Sequence, residues 1–145
     1  MDKKIVVWVF IKSEADEVLM VQEAKAEIKW LFNFPTWRLD PGESIFEGAI
    51  REAKEETGYD VKLDSILSIQ YFEEKLLLKI IFNATIVSGD IDFDRNEIMD
   101  VKWIPIAELE KMTEKELRSY DSIINVVNDS KANKQCSLDW IKNFK

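Results

Sequence analysis

The chain of 145 residues has no histidine and a single cysteine, Cys136. Without histidine there is no Ser-His or Cys-His nucleophile pair, no imidazole acid or base, and no histidine metal site. One cysteine makes neither an internal disulfide nor a cysteine-rich zinc site. Prolines number three and glycines four, and no linker, internal repeat or low-complexity tract interrupts the chain. Long hydrophobic runs are missing too: Ile5 to Ile11 is too short to span a bilayer and no small-residue cleavage site follows it. Any chemistry at neutral pH therefore falls to carboxylates, lysine, tyrosine or a metal held by oxygen.

What is present is a globular composition, 46% hydrophobic and 33% charged, with 28 acidic against 20 basic side chains and a formal charge of −8. Such a surface repels phosphate backbones and anionic lipid, so neither nucleic acid nor a membrane is expected as a partner. An untargeted cytoplasmic protein is expected, which agrees with the lack of disulfide-capable cysteines. The length suits one domain over residues 1–145, with 129–145 as a C-terminal extension.

Ile5 to Ile11 and Val18 to Gln22 read as strands joined in a hairpin by the polar turn between them. Trp30 to Phe34 is an apolar run stopped by Pro35, and Asp40-Pro41-Gly42 signals a turn. Ser44 with Glu47 three residues on makes a capping box, opening a helix that Gly58 closes. Val61 to Phe72 and Leu76 to Val87 predict an antiparallel pair. A short strand follows around Val101 to Ile104, then helix from Ile106 to about Asn128 in two pieces broken near Thr113. Leu138, Trp140, Ile141 and Phe144 suit a short docked helix, on their own subunit or across a homodimer. The order predicts one α/β domain with strands before and after a central helix.

On the helix from Ser44, Glu52, Glu55 and Glu56 fall within an arc of about 100°. Phe46, Ile50, Ala53 and Thr57 form the apolar side, and Gly48 lies inside the acidic arc, leaving room above the turn for metal, water or phosphate. Like charges at these spacings repel. A hard divalent cation, Mg²⁺ with Mn²⁺ as the alternative, would offset that repulsion. So would plain solvation of an acidic face, and spacing alone leaves both readings open.

Glu43, seven residues, then Arg51-Glu52-Ala53-Lys54-Glu55-Glu56-Thr57-Gly58-Tyr59 resembles the Nudix hydrolase signature, a glutamate, seven residues and R-E-U-x-E-E-x-G-U. Trp30 through Ser44 resembles the segment leading into that box. Glu97-Ile98 through Lys102-Trp103-Ile104-Pro105 and Glu108-Leu109 resembles the last core strand and its following helix. The resemblance implies a Nudix-type α/β/α sandwich, a mixed sheet between helices, in which Glu52, Glu55 and Glu56 bind Mg²⁺, Arg51 orients them and Glu43 supports or ligates. It also implies that Glu97 binds a further metal or takes the proton of the attacking water, with Asp92, Asp94 and Asp100 as nearby competitors. The implied reaction is hydrolysis of a phosphoanhydride in a nucleoside diphosphate derivative or related di- or triphosphate. Pro35 through Ser44 and Leu117-Arg118-Ser119 resemble a branch of small phosphatase-like members.

The chain departs from the family pattern at Thr36 and Trp37, where the box ordinarily opens on a small residue and a glycine. A positive φ at Trp37 would cost about 1 to 2 kcal/mol. Trp37 turns outward, stacks on a substrate base or blocks the site. With Trp37, the substrate-contact candidates are Arg38 and Lys79, each with a solvated surface position as its alternative. A non-catalytic Nudix-like sensor remains the second reading, with turnover abolished at Thr36-Trp37 and nucleotide binding retained.

Overall fold

The computed structural model describes residues 4–39 and 41–145. Seven strands, β1 (Lys4–Ile11), β2 (Glu17–Glu23), β3 (Phe32–Asn33), β4 (Thr36–Arg38), β5 (Tyr59–Phe72), β6 (Leu77–Gly89) and β7 (Ile98–Pro105), form two sheets. Their orders are β4-β1-β6-β5 and β3-β2-β7. The helices are α1 (Ile45–Thr57), α2 (Ile106–Leu109) and α3 (Tyr120–Lys131). Strand and helix types agree with the expected α/β sandwich.

Strand alternation explains the layers. Val7, Val9 and Ile11 of β1 join Leu19 and Val21 of β2 in one core, which Ala49 and Ala53 of α1 complete. Trp8, Phe10, Val18 and Met20 point the other way into a second core, closed by Leu109 of α2 and by Ile123, Val126 and Val127 of α3. Each strand therefore buries both faces, which is why these segments read as continuous apolar runs rather than alternating ones.

The expected hairpin of the first two strands is corrected. The turn is present, with Ser13 N–H donating to the Glu17 carbonyl at 2.8 Å and a bridge between Lys12 and Val18. Beyond it the strands part. β1 runs parallel to β6 and antiparallel to β4, whereas β2 pairs with β3 and β7. This parting leaves a cleft lined by residues of both sheets, among them Val6 and Trp8 of β1 and Glu23 of β2. The expected β5–β6 pair is antiparallel, and the C-terminal helical stretch is broken from Glu110 to Ser119, around Thr113. Of the Trp30 to Phe34 run only Phe32 and Asn33 are strand.

Two sequence expectations about α1 also change. Ile50 is exposed, and the buried side of the helix runs through Gly48, Ala49, Ala53 and Thr57. Gly48 does not leave room for a ligand, because the Trp37 indole occupies that space: a Cβ at position 48 would overlap Cζ2 and Cη2 of Trp37. Gly48→Ala is expected to lower stability by about 1 to 3 kcal/mol through overpacking, read as a shift in denaturant midpoint.

The C-terminal residues are held by two backbone hydrogen bonds of 2.8 Å between Cys136 and Ile66. Leu138 and Ile141 pack on the α1-side core, while Trp140 and Phe144 are exposed. The observed element there is one 3-10 turn, Leu138–Trp140. No helix among the described residues is long and apolar enough to cross a membrane.

Candidate active site

The helix that carries the acidic residues is fixed at both ends by its own sequence. Ser44 Oγ accepts the Glu47 N–H at 3.1 Å, and Gly58 closes the helix in the left-handed region with φ +88°. Lys54 Nζ donates to the Gly58 carbonyl at 3.0 Å, satisfying a terminal acceptor. Thr57 Oγ1 donates to the Ala53 carbonyl at 2.6 Å.

Between these caps the three glutamates divide. Glu52 and Glu56, one turn apart, are half-buried, whereas Glu55 is exposed. Arg51 gathers the exposed group. Its Nε and Nη2 donate to the two Glu43 carboxylate oxygens at 2.7 and 2.9 Å, and Nη1 reaches Glu55 at 3.0 Å and Glu52 at 3.2 Å. Hydrogen bonding from Arg51 holds the Glu43 carboxyl below its ordinary range, and Glu43 and Glu55 raise the Arg51 guanidinium in return. Glu43 is thereby a clamp on Arg51.

Glu56 is placed differently. Its Oε1 accepts the Thr36 N–H of β4 at 3.2 Å, and it lines a cleft of about 1050 Å³ together with Glu23 and Glu97. Burial pushes the Glu56 carboxyl well above the ordinary range; the Thr36 bond opposes this, and the charges of Glu52, Glu23 and Glu97 add to it. Glu52 is also raised, first by burial and then by Glu55, against the pull of Arg51. These carboxylates repel one another; Arg51 reaches Glu52 and Arg118 pairs with Glu23, whereas among the described residues no basic side chain lies within 4.0 Å of Glu56. Among the described residues no three acidic side chains converge as a closed metal-binding set. The physical reason is visible in the contacts: Arg51 draws Glu52 and Glu55 to one side while Thr36 holds Glu56 on the other.

Of the acidic residues around the last loop, Glu97 lines the cleft, and Asp92, Asp94 and Asp100 do not. Asp94 instead shapes the turn, its carbonyl accepting the Glu97 N–H at 3.0 Å and its Oδ1 the Asn96 N–H at 2.9 Å. Arg38 and Lys79 line the cleft as well. Trp37 does not and is corrected as a substrate contact. Thr36 and Arg38 face the cleft, so alternation turns the residue between them into the core, where Trp37 is 3% exposed. It is not among the described residues with positive φ, so the strain that a positive φ would bring is not incurred.

Glu23, at the end of β2, is a cleft residue that sequence reading missed. It lines the cleft, forms a 2.6 Å ion pair with Arg118 and adds its charge to Glu56. A carboxylate ending an apolar strand was a visible signal, but its facing Arg118 lies 95 residues away. Only the fold reveals that pairing.

A core strand, a Pro-ended run, a capped acidic helix and a late glutamate thus meet at one cleft, and the NUDIX domain family profile matches residues 2–124. The chain belongs to the NUDIX family. Nudix hydrolase 8 of Arabidopsis thaliana is 36% identical over 105 residues, which are 68% of this chain and 28% of that protein. The 8-oxo-dGDP phosphatase of Homo sapiens is 44% identical over 66 residues, 46% of this chain and 20% of that protein. The chain thus spans about a third or less of the length of these curated NUDIX relatives. A NUDIX hydrolase from Nitrosomonas europaea has the same fold over nearly its whole length, with TM-score 0.86, 25% identity, and coverage of 99% of this chain and 98% of that one.

Proposed function

We propose that this NUDIX chain hydrolyses a phosphoanhydride in a nucleoside diphosphate derivative or related di- or triphosphate. The observation that carries the reading is Glu56, a carboxylate raised by burial and by neighbouring acids, held by a backbone N–H at the wall of a substrate-sized cleft. An acid in that state gains most from a cation beside it. The donor chemistry fits Mg²⁺ or Mn²⁺, since the set is all oxygen and carries excess negative charge. Glu52 and Glu56 would hold the ion, with Glu55 as a further oxygen donor. When bound, such an ion neutralises phosphate oxygens and lowers the pKa of a coordinated water.

The remaining roles fall to the chain itself. Glu97, exposed at the cleft rim, accepts the proton of the attacking water. Arg38 lies along the same wall, where its guanidinium meets phosphate oxygens. Arg51 is a positioning residue that keeps Glu52 and Glu55 on one side of α1 through Glu43. Arg51→Lys, which loses the two-pronged contact with Glu43, is expected to lower kcat by about 10- to 100-fold, with KM changed less. The human relative's name supports a nucleoside diphosphate among the substrates tried first. With Trp37 buried, the sensor reading loses the obstruction that motivated it.

A panel of nucleoside diphosphates, triphosphates and nucleotide sugars, assayed with Mg²⁺ and with chelator, tests the proposal. Hydrolysis of at least one member that stops on chelation is expected. Tight nucleotide binding without turnover of any member would overturn it in favour of the sensor.

A further inference from the structure

The cleft has a second chemistry that hydrolysis of an anhydride does not use. Lys79 is the third residue of β6, paired with Val6 of β1 and Gln70 of β5, and is 5% exposed. Its Nζ lies 3.7 Å from the centroid of the Trp8 ring and 5.0 Å from that of Phe72. It donates to Ser122 Oγ at 3.2 Å. Ser122 Oγ donates in turn to Gln70 Oε1, and Gln70 Nε2 donates to the Ser122 carbonyl at 3.2 Å. Two strands and the first turn of α3 therefore fix one ammonium in place.

No carboxylate among the described residues lies within 4.0 Å of that ammonium. Buried lysines are ordinarily paired. Around Lys79 the cleft is lined by Lys4 on β1, Lys75 in the β5–β6 turn, Arg118 before α3, and Tyr120 and Asp121 on α3. Arg118 is committed to Glu23. With Arg118 so paired, Lys4, Lys75 and Lys79 stand against Asp121 and Glu114, which also line the cleft, a small local excess of cations in a chain of net charge −8. Burial, with the charges of Lys75 and Arg118, lowers Lys79 to about 7. An anion arriving beside it would restore its charge by proton uptake, a gain that a neutral carbonyl acceptor does not provide to the same degree.

We propose that Lys79 anchors a second anionic group of the substrate, a phosphate or carboxylate carried on the part remote from the scissile anhydride. This rests on the hydrolytic reading of the same cleft and names the substrate class more narrowly. Phe72 supplies an apolar wall for the remote part, and Lys79, backed by the buried Trp8 ring, selects by charge.

The test needs neither metal nor turnover, so it fails separately from the hydrolytic reading. The chelator-treated full chain is titrated calorimetrically with inorganic phosphate and separately with acetate at pH 7.5, in two buffers of different ionisation enthalpy. Oxyanion binding with a buffer-dependent heat, reporting proton uptake, is expected. Lys79→Met is expected to weaken it at least about tenfold, and Ser122→Ala, which keeps the charge but frees it, by less. Preference for phosphate assigns a remote phosphate, and equal binding of acetate a remote carboxylate. Should Lys79→Met fail to fold, buffer-dependent heat in the unaltered chain and weaker binding in Ser122→Ala remain the supporting results. No binding of either anion, or equal binding by Lys79→Met, would overturn the proposal.

Discussion

Glu56→Gln is expected to lower kcat by at least about 100-fold while making the metal-free variant the more stable of the two forms as pH rises through the raised range of that carboxyl. The two effects have one cause. Burial and the charges of Glu52, Glu23 and Glu97 raise the Glu56 carboxyl in the folded state. A group raised on folding binds protons more tightly in the native than in the unfolded chain. Its contribution is therefore fully present below the ordinary carboxylate range and is lost as pH rises through the raised value. Above that raised value the metal-free protein carries a desolvated charge that glutamine lacks. Thermal unfolding of both forms in chelator from pH 5 to 8.5 is expected to show the unaltered chain falling behind the variant as pH rises. Adding Mg²⁺ is expected to narrow or reverse the difference, since an ion that binds only the folded form stabilises it by mass action. A variant as active as the unaltered chain, or one less stable than it throughout that range in chelator, would remove Glu56 from the proposed role.

Gly58→Ala is expected to destabilise the chain by about 2 to 4 kcal/mol and to lower activity in the surviving folded fraction. The backbone there lies at φ +88°, where an L-residue is strained by about 1 to 2 kcal/mol. Strain is the smaller part of the problem. A Cβ would overlap the Asp90 carbonyl oxygen and the Asp92 nitrogen, both backbone atoms with no side chain to give way. The 90–94 segment, which Thr57 holds through its carbonyl and Asp92 N–H at 3.0 Å, would have to move. Asp94 sets the turn that carries Glu97, so the displacement reaches the cleft. For a domain of this length the midpoint of thermal unfolding is expected to drop by roughly 5 to 15 °C. A drop of about 2 °C or less would mean that the 90–94 segment yields easily and that Glu97 is not held through it.

The contrast between these residues shows where sequence suffices. Ser44, Glu47 and Gly58 act within a few residues of one another, and the capped helix they define is local physics that the chain states openly. Arg51 and Glu55 likewise meet one turn apart. What the sequence conceals is pairing at long range. Polar residues between two apolar strands read as a hairpin, yet β1 and β2 part after one turn because each finds longer partners, β6 and β7, far along the chain. Glu23 and Arg118 belong to the cleft only because of that parting. Trp37 was misplaced for a related reason: its outward or inward turn depends on β4 pairing with β1, which sets the alternation, and on Gly48 across the helix interface. The helix's acidic arc was legible as an angle, but the half-buried state of Glu52 and Glu56 against the exposed Glu55 came from β4 lying beside one edge of that arc.

Direct binding of Mn²⁺, followed by its electron paramagnetic resonance signal at pH 7.5, tests the central claim that the α1 carboxylates hold a hard cation. The unaltered chain is expected to quench the free-ion signal with saturable binding, and Glu52→Gln and Glu56→Gln each to weaken that binding at least about tenfold. Lys79→Met, on the other wall of the cleft, is expected to leave it unchanged. Equal Mn²⁺ affinity in the unaltered chain and both glutamate variants, or no binding by any of them, would contradict the claim.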